Sequence, residues 1–165
     1  MKDIMIRDAR HRDLEDVHLL NQDNLPHVGS ISFADMEYLY KEAIYFRVAE
    51  AGDRIAGVLI AFDPGAGYKS LNFLWFKEHY EAFVYIDRII IAPHYRRKGI
   101  AYRLYDDLEL FAKNRNLPMM ACEYNLRPNN ETSRLFHRRY GFIEVGRQET
   151  EGGKKTVSLQ IKQIG

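Results

Sequence analysis

The chain has 165 residues, 46% of them hydrophobic and 13% aromatic, which is enough to bury one core and too few for two, so a single domain over 1–165 is expected. Its 24 basic residues stand against 23 acidic ones, a net charge of +1, so no global positive field favours nucleic acid or a membrane surface. Cys122 is the only cysteine and the opening MKDIMIRDARHRD lacks an apolar run, so no internal disulfide, signal peptide or membrane span is expected and the cytoplasm is the expected location.

Taken in order, IMIRDA alternates like a strand. From His11 to Asn24 the apolar Leu14, Val17 and Leu20, followed by Leu25, recur at helical spacing. PHVGS interrupts this, and Ser32 is placed to cap a second short helix through Lys41. YFRVAEA and RIAGVLIAF are β-rich runs joined at Gly52-Asp53, a hairpin signal. Asp63 to Tyr80 reads as a long irregular connection, turn-forming at DPGAGYKS and then aromatic; it either carries function or covers one end of the core. FVYIDRIIIA is the strongest strand, and its run of three consecutive isoleucines suggests burial on both faces. After Pro93 the connection PHYRRK leads into a long helix, GIAYRLYDDLELFAKNR, with Ile100, Leu104, Leu108 and Phe111 as its buried stripe. LPMMACEYN is a strand, and NNETSRLFHRRY a helix closed by Gly141. FIEVGRQET and KTVSLQIKQ end the chain as two strands joined across Gly152-Gly153. The strand–helix–strand from Val84 to Asn125 predicts a right-handed parallel crossover, with ligands at the carboxyl ends of its strands.

Arg96-Arg-Lys-Gly-Ile-Ala101 follows a buried strand and opens a helix. Free first-turn N–H groups, the helix dipole and three cations make an anion site suited to phosphate, and Gly99 clears room for close approach. It is neither a Walker loop, lacking Gly-Lys-Ser/Thr, nor a dinucleotide fingerprint, lacking two glycines.

RRKGIA and NETSRLFHRRYGF together, in this order and at this separation, resemble the two signatures of the GNAT superfamily of acyl-CoA-dependent N-acetyltransferases, Arg/Gln-x-x-Gly-x-Gly/Ala and Asn-x-x-Ala-x-x-Leu/Phe-Tyr-x-x-x-Gly-Phe. The resemblance runs from Ile4 to the C-terminus and is greatest to bacterial members. It implies an α+β, three-layer fold: a mixed, mostly antiparallel sheet of six to seven strands, helices on both faces and a central parallel βαβ crossover. It also implies acetyl-CoA as co-substrate and no metal. The backbone of Ile89 and Ile91 would meet the pantetheine arm. Arg96, Arg97, Lys98, Gly99, Ile100 and Ala101 would hold the pyrophosphate, and Asn130 and Ser133 would border the cofactor arm. Transfer would be direct, by attack of a primary amine of a small molecule or peptide on the thioester, with an N–H near Ile91 polarising the carbonyl. The amine would enter between Asn24–Ser30 and Tyr68–Tyr80, and a homodimer is compatible with the family.

Such chemistry needs a base. Glu123, in CEY, is the first candidate, since some relatives carry a working glutamate there, although NLRPNN runs longer here than in those relatives. Asp87 on the neighbouring strand is the second, and for each the alternative is a structural carboxylate paired with an arginine such as Arg88. Cys122 alternates to the face opposite Glu123 and reads as a small buried hydrophobe. The histidines show no metal-site spacing. Asn130, Ser133 and His137 fall on one helical stripe. His137 occupies the place of the family's tyrosine acid and has three readings: acid, cofactor contact without proton transfer, or cation at a helix C-terminus. The alternative to an enzyme is a non-catalytic acyl-CoA-binding or sensing domain of the same fold.

Overall fold

The computed structural model describes residues 3–165. Seven strands form one sheet: β1 Ile4–Asp8, β2 Tyr45–Ala51, β3 Arg54–Phe62, β4 Val84–Ile91, β5 Met119–Arg127, β6 Ile143–Thr150 and β7 Lys155–Gln163. Their spatial order is β1-β2-β3-β4-β5-β7-β6. Every neighbouring pair is antiparallel except β4 with β5. Among the described residues there are five α-helices: α1 Leu14–Gln22, α2 Phe33–Glu42, α3 Leu71–His79, α4 Ile100–Asn114 and α5 Glu131–Tyr140.

The period-two alternation of the strands sends side chains to two apolar layers. Leu14, Val17, Met36, Phe73 and Phe76 from α1, α2 and α3 meet Val48, Val58, Ile60 and Tyr85 on one face. Leu104, Tyr105 and Leu108 from α4, with Phe136 of α5 beside them, meet Leu59, Val84, Met120 and Cys122 on the other. This is the expected mixed three-layer architecture with seven strands. Among the described residues no helix is long and apolar enough to cross a membrane.

Local chemistry explains most of the boundaries. Ser32 caps α2, its hydroxyl accepting from Asp35 N–H at 3.0 Å. Gly52, at φ 65°, turns the β2–β3 hairpin where Ala51 pairs with Arg54. Gly141, at φ 113°, closes α5 in the left-handed region.

Two expectations are corrected. The connection from Asp63 to Tyr80 is not irregular throughout, because α3 occupies Leu71–His79, capped by the Ser70 hydroxyl accepting from Phe73 N–H at 3.1 Å. Its apolar residues surround the helix instead of forming one stripe, which hid the period: Phe73 and Phe76 are buried in the core, whereas Leu71 is 59% exposed. The three consecutive isoleucines of β4 are not equally buried either. Ile90 is buried but Ile89 and Ile91 are only half-buried, because the sheet opens beside them.

Candidate active site

β4 and β5 pair only at Val84 with Met120 and Tyr85 with Ala121, and then separate. β4 runs on to Ile91 and β5 to Arg127, so a wedge opens in the middle of the sheet. Gly57 pairs with Ile91 on the other side, and Ala92 N–H donates to Ala56 C=O at 2.8 Å. Antiparallel alternation therefore aims the peptide groups of Ile89 and Ile91 into the wedge, where no strand meets them.

At the mouth of the wedge the chain turns through Pro93–Tyr95 and enters α4. Arg97 sits at φ 62° and Gly99 at φ 78°. A side chain built at Gly99 would meet nothing within 4 Å, so this stretch of backbone lies open. The N–H groups of residues 97 to 102 find no acceptor among the described residues. Unpaired first-turn donors at the positive end of a 15-residue helix, with Arg97 and Lys98 exposed beside them, fit a pyrophosphate. Arg96 departs from the expected arrangement. Its guanidinium turns back, donating through Nε to Ile91 C=O at 3.3 Å and through Nη2 to Asn24 Oδ1 at 2.5 Å.

Both candidate carboxylates lie on the α1–α3 side of the wedge. Glu123 Oε1 accepts from the Tyr85 hydroxyl at 2.6 Å. Burial pushes the Glu123 carboxyl up to about 7, helped by the nearby Asp87 charge, while hydrogen bonds from Tyr85 and Asn72 and the charge of Arg88 pull it back. Burial also holds the Tyr85 phenol well above its ordinary range, so it stays a donor. Asn72 is fixed by Gln148 of β6, whose amide nitrogen donates to Asn72 Oδ1 at 2.9 Å. Asp87 is different. Its Oδ1 accepts from the Tyr68 hydroxyl at 2.6 Å and its Oδ2 from Arg88 Nε at 2.9 Å, in an ion pair whose side chains are only 6% and 11% exposed. Both oxygens are thus committed, the geometry of a structural carboxylate.

On the opposite side of the sheet, Asn130 caps α5 by accepting from Ser133 N–H at 3.1 Å. His137 lies one turn on, the one buried residue of α5, at 5% exposure. Its Nδ1 sits 2.7 Å from Ser133 C=O and its Nε2 2.8 Å from the Tyr105 hydroxyl. A carbonyl can only accept, so Nδ1 carries the proton and Nε2 accepts from Tyr105. Burial lowers the His137 pKa below its ordinary value and favours this neutral form. The expected stripe of Asn130, Ser133 and His137 exists, but its far end faces the core. An exposed helix-end cation does not fit, and neither does an imidazolium acid. Cys122, beside Glu123 in sequence, is buried on the α4 side, with burial raising its thiol pKa. Among the described residues no group of His, Cys, Asp or Glu is arranged to hold a metal.

Residues 11–142 match the acetyltransferase (GNAT) family. The chain belongs to that family. Solved structures with this GNAT fold include the ribosomal-protein-S18-alanine N-acetyltransferase from Escherichia coli, at TM-score 0.77 and 16% identity, covering 99% of this chain and 95% of that one. NAA60 from Arabidopsis thaliana, in complex with a bisubstrate analogue, is similar at TM-score 0.78 and 16% identity over 99% of both chains. The NatC complex bound to Gag peptide and CoA is similar at 0.77 and 14% over the full length of both chains. No curated protein sequence matches this GNAT chain.

Apart from Arg88, which the sequence already offers as a partner, the groups that hold the carboxylates were missed by reading motifs alone. Alternation along FVYIDR places Tyr85 on the face of Asp87, a signal that was available. Tyr68, Asn72 and Tyr105 come from other elements, and only their packing brings them in.

Proposed function

We propose that residues 1–165 form one acetyl-CoA-dependent N-acetyltransferase domain acting on a primary amine of a small molecule or peptide. The observation that carries this reading is Glu123, a carboxyl with a pKa near 7 beside the wedge between β4 and β5. A general base works best when its pKa lies near the working pH, and burial has moved this one there. Bound acetyl-CoA supplies the acyl group as a thioester. The residues that would hold it are the open backbone from Arg97 to Ala101 at the phosphates and the wedge-facing peptide groups of Ile89 and Ile91 along the arm. Glu123 takes the proton of the attacking amine, and Tyr85 fixes the carboxyl by holding Oε1. The N–H of Ile91 is the donor available for the thioester oxygen. Asp87 serves by holding Arg88 and by adding negative charge that keeps the Glu123 pKa high. A peptide acceptor has support in the similar structure bound to Gag peptide and CoA.

A second reading has its own observation. With both His137 nitrogens engaged in the core, no acid stands in the place of the family's tyrosine, as in a domain that binds acyl-CoA without turning it over. Release of free thiol from acetyl-CoA across a panel of small and peptide amines separates the two. Amine-dependent release that Glu123→Gln abolishes supports the enzyme. Tight CoA binding with no turnover for any amine supports the sensor.

A further inference from the structure

A strap, residues 23–31, links α1 to α2 and is tied through Arg88 to the Asp87 carboxylate of the site. Two buried asparagines root it: Asn21 is 0% and Asn24 4% exposed. Asn21 Nδ2 donates to Gly29 C=O at 3.0 Å, and Asn24 Nδ2 to Leu20 C=O at 2.7 Å. Two arginines then fasten the strap to β4 and its following turn. Arg88 Nη1 donates to Asn21 Oδ1 at 2.7 Å and to Gly29 C=O at 3.4 Å, while its Nε is held by Asp87. That anchor is enclosed and its charge is already paired.

The second anchor is neither. Arg96 is an exposed residue at the start of the open donor loop. It forms no ion pair among the described residues, and both its partners are neutral: Asn24 Oδ1 and Ile91 C=O. Ile91 C=O belongs to the edge that faces the wedge. A phosphate beside Arg96 would offer charge-assisted hydrogen bonds, roughly twice as strong as those to neutral acceptors. We propose that Arg96 is a positioning residue that latches the acceptor-side strap, and that donor binding releases it by drawing the guanidinium off Asn24 and Ile91. Once released, Asn24 Oδ1 is a buried acceptor without its donor and turns toward water, opening the strap at its α1 end while Arg88 keeps hold of Gly29. The acceptor path thus opens after the donor arrives. This inference rests on the proposed donor site.

Hydrogen exchange of the full chain, with and without CoA, tests it, with CoA binding measured separately by calorimetry. CoA is expected to speed exchange of the 23–31 amides by about tenfold, the loss of one hydrogen bond to a charged group, while slowing it along β4 and α4. In Arg96→Ala, a change at an exposed side chain, exchange at 23–31 is already fast and CoA does not alter it. Asn24→Asp gives Arg96 a charged partner while losing the bond to Leu20 C=O, and CoA binds about tenfold more weakly. If CoA binds and exchange at 23–31 is unchanged or slowed, the latch is wrong and the donor site stands. If CoA does not bind at all, both fail.

Discussion

Glu123 is the residue on which activity should turn. As the proposed base it would act as the carboxylate, so kcat/KM is expected to rise with pH through about 7, the value to which burial pushes the group. Glu123→Gln should lower kcat by roughly 100-fold or more and abolish that limb. The same substitution should not harm the fold. A carboxyl raised from 4.5 to about 7 contributes stability at low pH that is lost as pH rises through about 7. Glutamine is neutral throughout and still accepts from Tyr85. Urea unfolding at pH 8 should therefore find Glu123→Gln at least as stable as the parent, by up to about 3 kcal/mol. Tyr85→Phe removes a hydrogen bond that lowers the Glu123 pKa, so the activity limb should move to higher pH. A limb that stays put in Tyr85→Phe would mean that another group sets it.

At the scale of elements, two contacts between remote parts of the chain can be tested. The first joins α4 to α5 through Tyr105 and His137. His137→Phe leaves the buried Tyr105 hydroxyl without an acceptor and should cost about 1–3 kcal/mol in urea unfolding. Because this imidazole is neutral and turned into the core, thiol release by the folded fraction should change only a few-fold; a hundredfold loss would restore His137 as the acid. The sign of its pH dependence also follows. A histidine whose folded pKa is depressed contributes stability above its ordinary 6.5 that is lost as pH falls through the folded value. Acid destabilisation should thus be shallower in His137→Phe. The second contact joins α3 to β6, where a side chain at Gly146 would come within 2.7 Å of Trp75 Cζ2. Gly146→Ala should push α3 outward, cost about 1–3 kcal/mol and shift the emission of Trp75 to longer wavelength. Trp75 is the chain's single tryptophan, so the shift is read without interference.

For the molecule as a whole, the sheet is two antiparallel sets joined by a two-pair parallel seam between β4 and β5. A ligand that spans the seam and the α4 N-terminus should stabilise both sets together. CoA at about 100 times its Kd is expected to add about 2.7 kcal/mol to unfolding. Gly99→Val should remove most of this, since Gly99 lies at φ 78° and a β-branched residue there is strained and screens the open backbone. Stabilisation that survives Gly99→Val would place the ligand elsewhere.

The sequence by itself determined every strand and every helix but α3, together with the family and its expected donor loop. The role proposed for RRKGIA rests on backbone donors, and an open helix start after a strand is a local property that can be read without knowledge of distant packing. The family signature in NETSRLFHRRYGF and the alternation that separates Cys122 from Glu123 are local in the same sense. Only the tertiary structure decided the surroundings and partners of the titratable groups. Asp87 and Glu123 look alike along the chain, yet Tyr68 and Arg88 occupy both oxygens of the first, while the second meets Tyr85 in a setting that raises its pKa. His137 reads as a surface or cleft residue on the helix and becomes a core residue because Tyr105, 32 positions away, arrives to meet it. Protonation depends on desolvation and on partners brought from remote elements, and neither is written in the neighbouring residues.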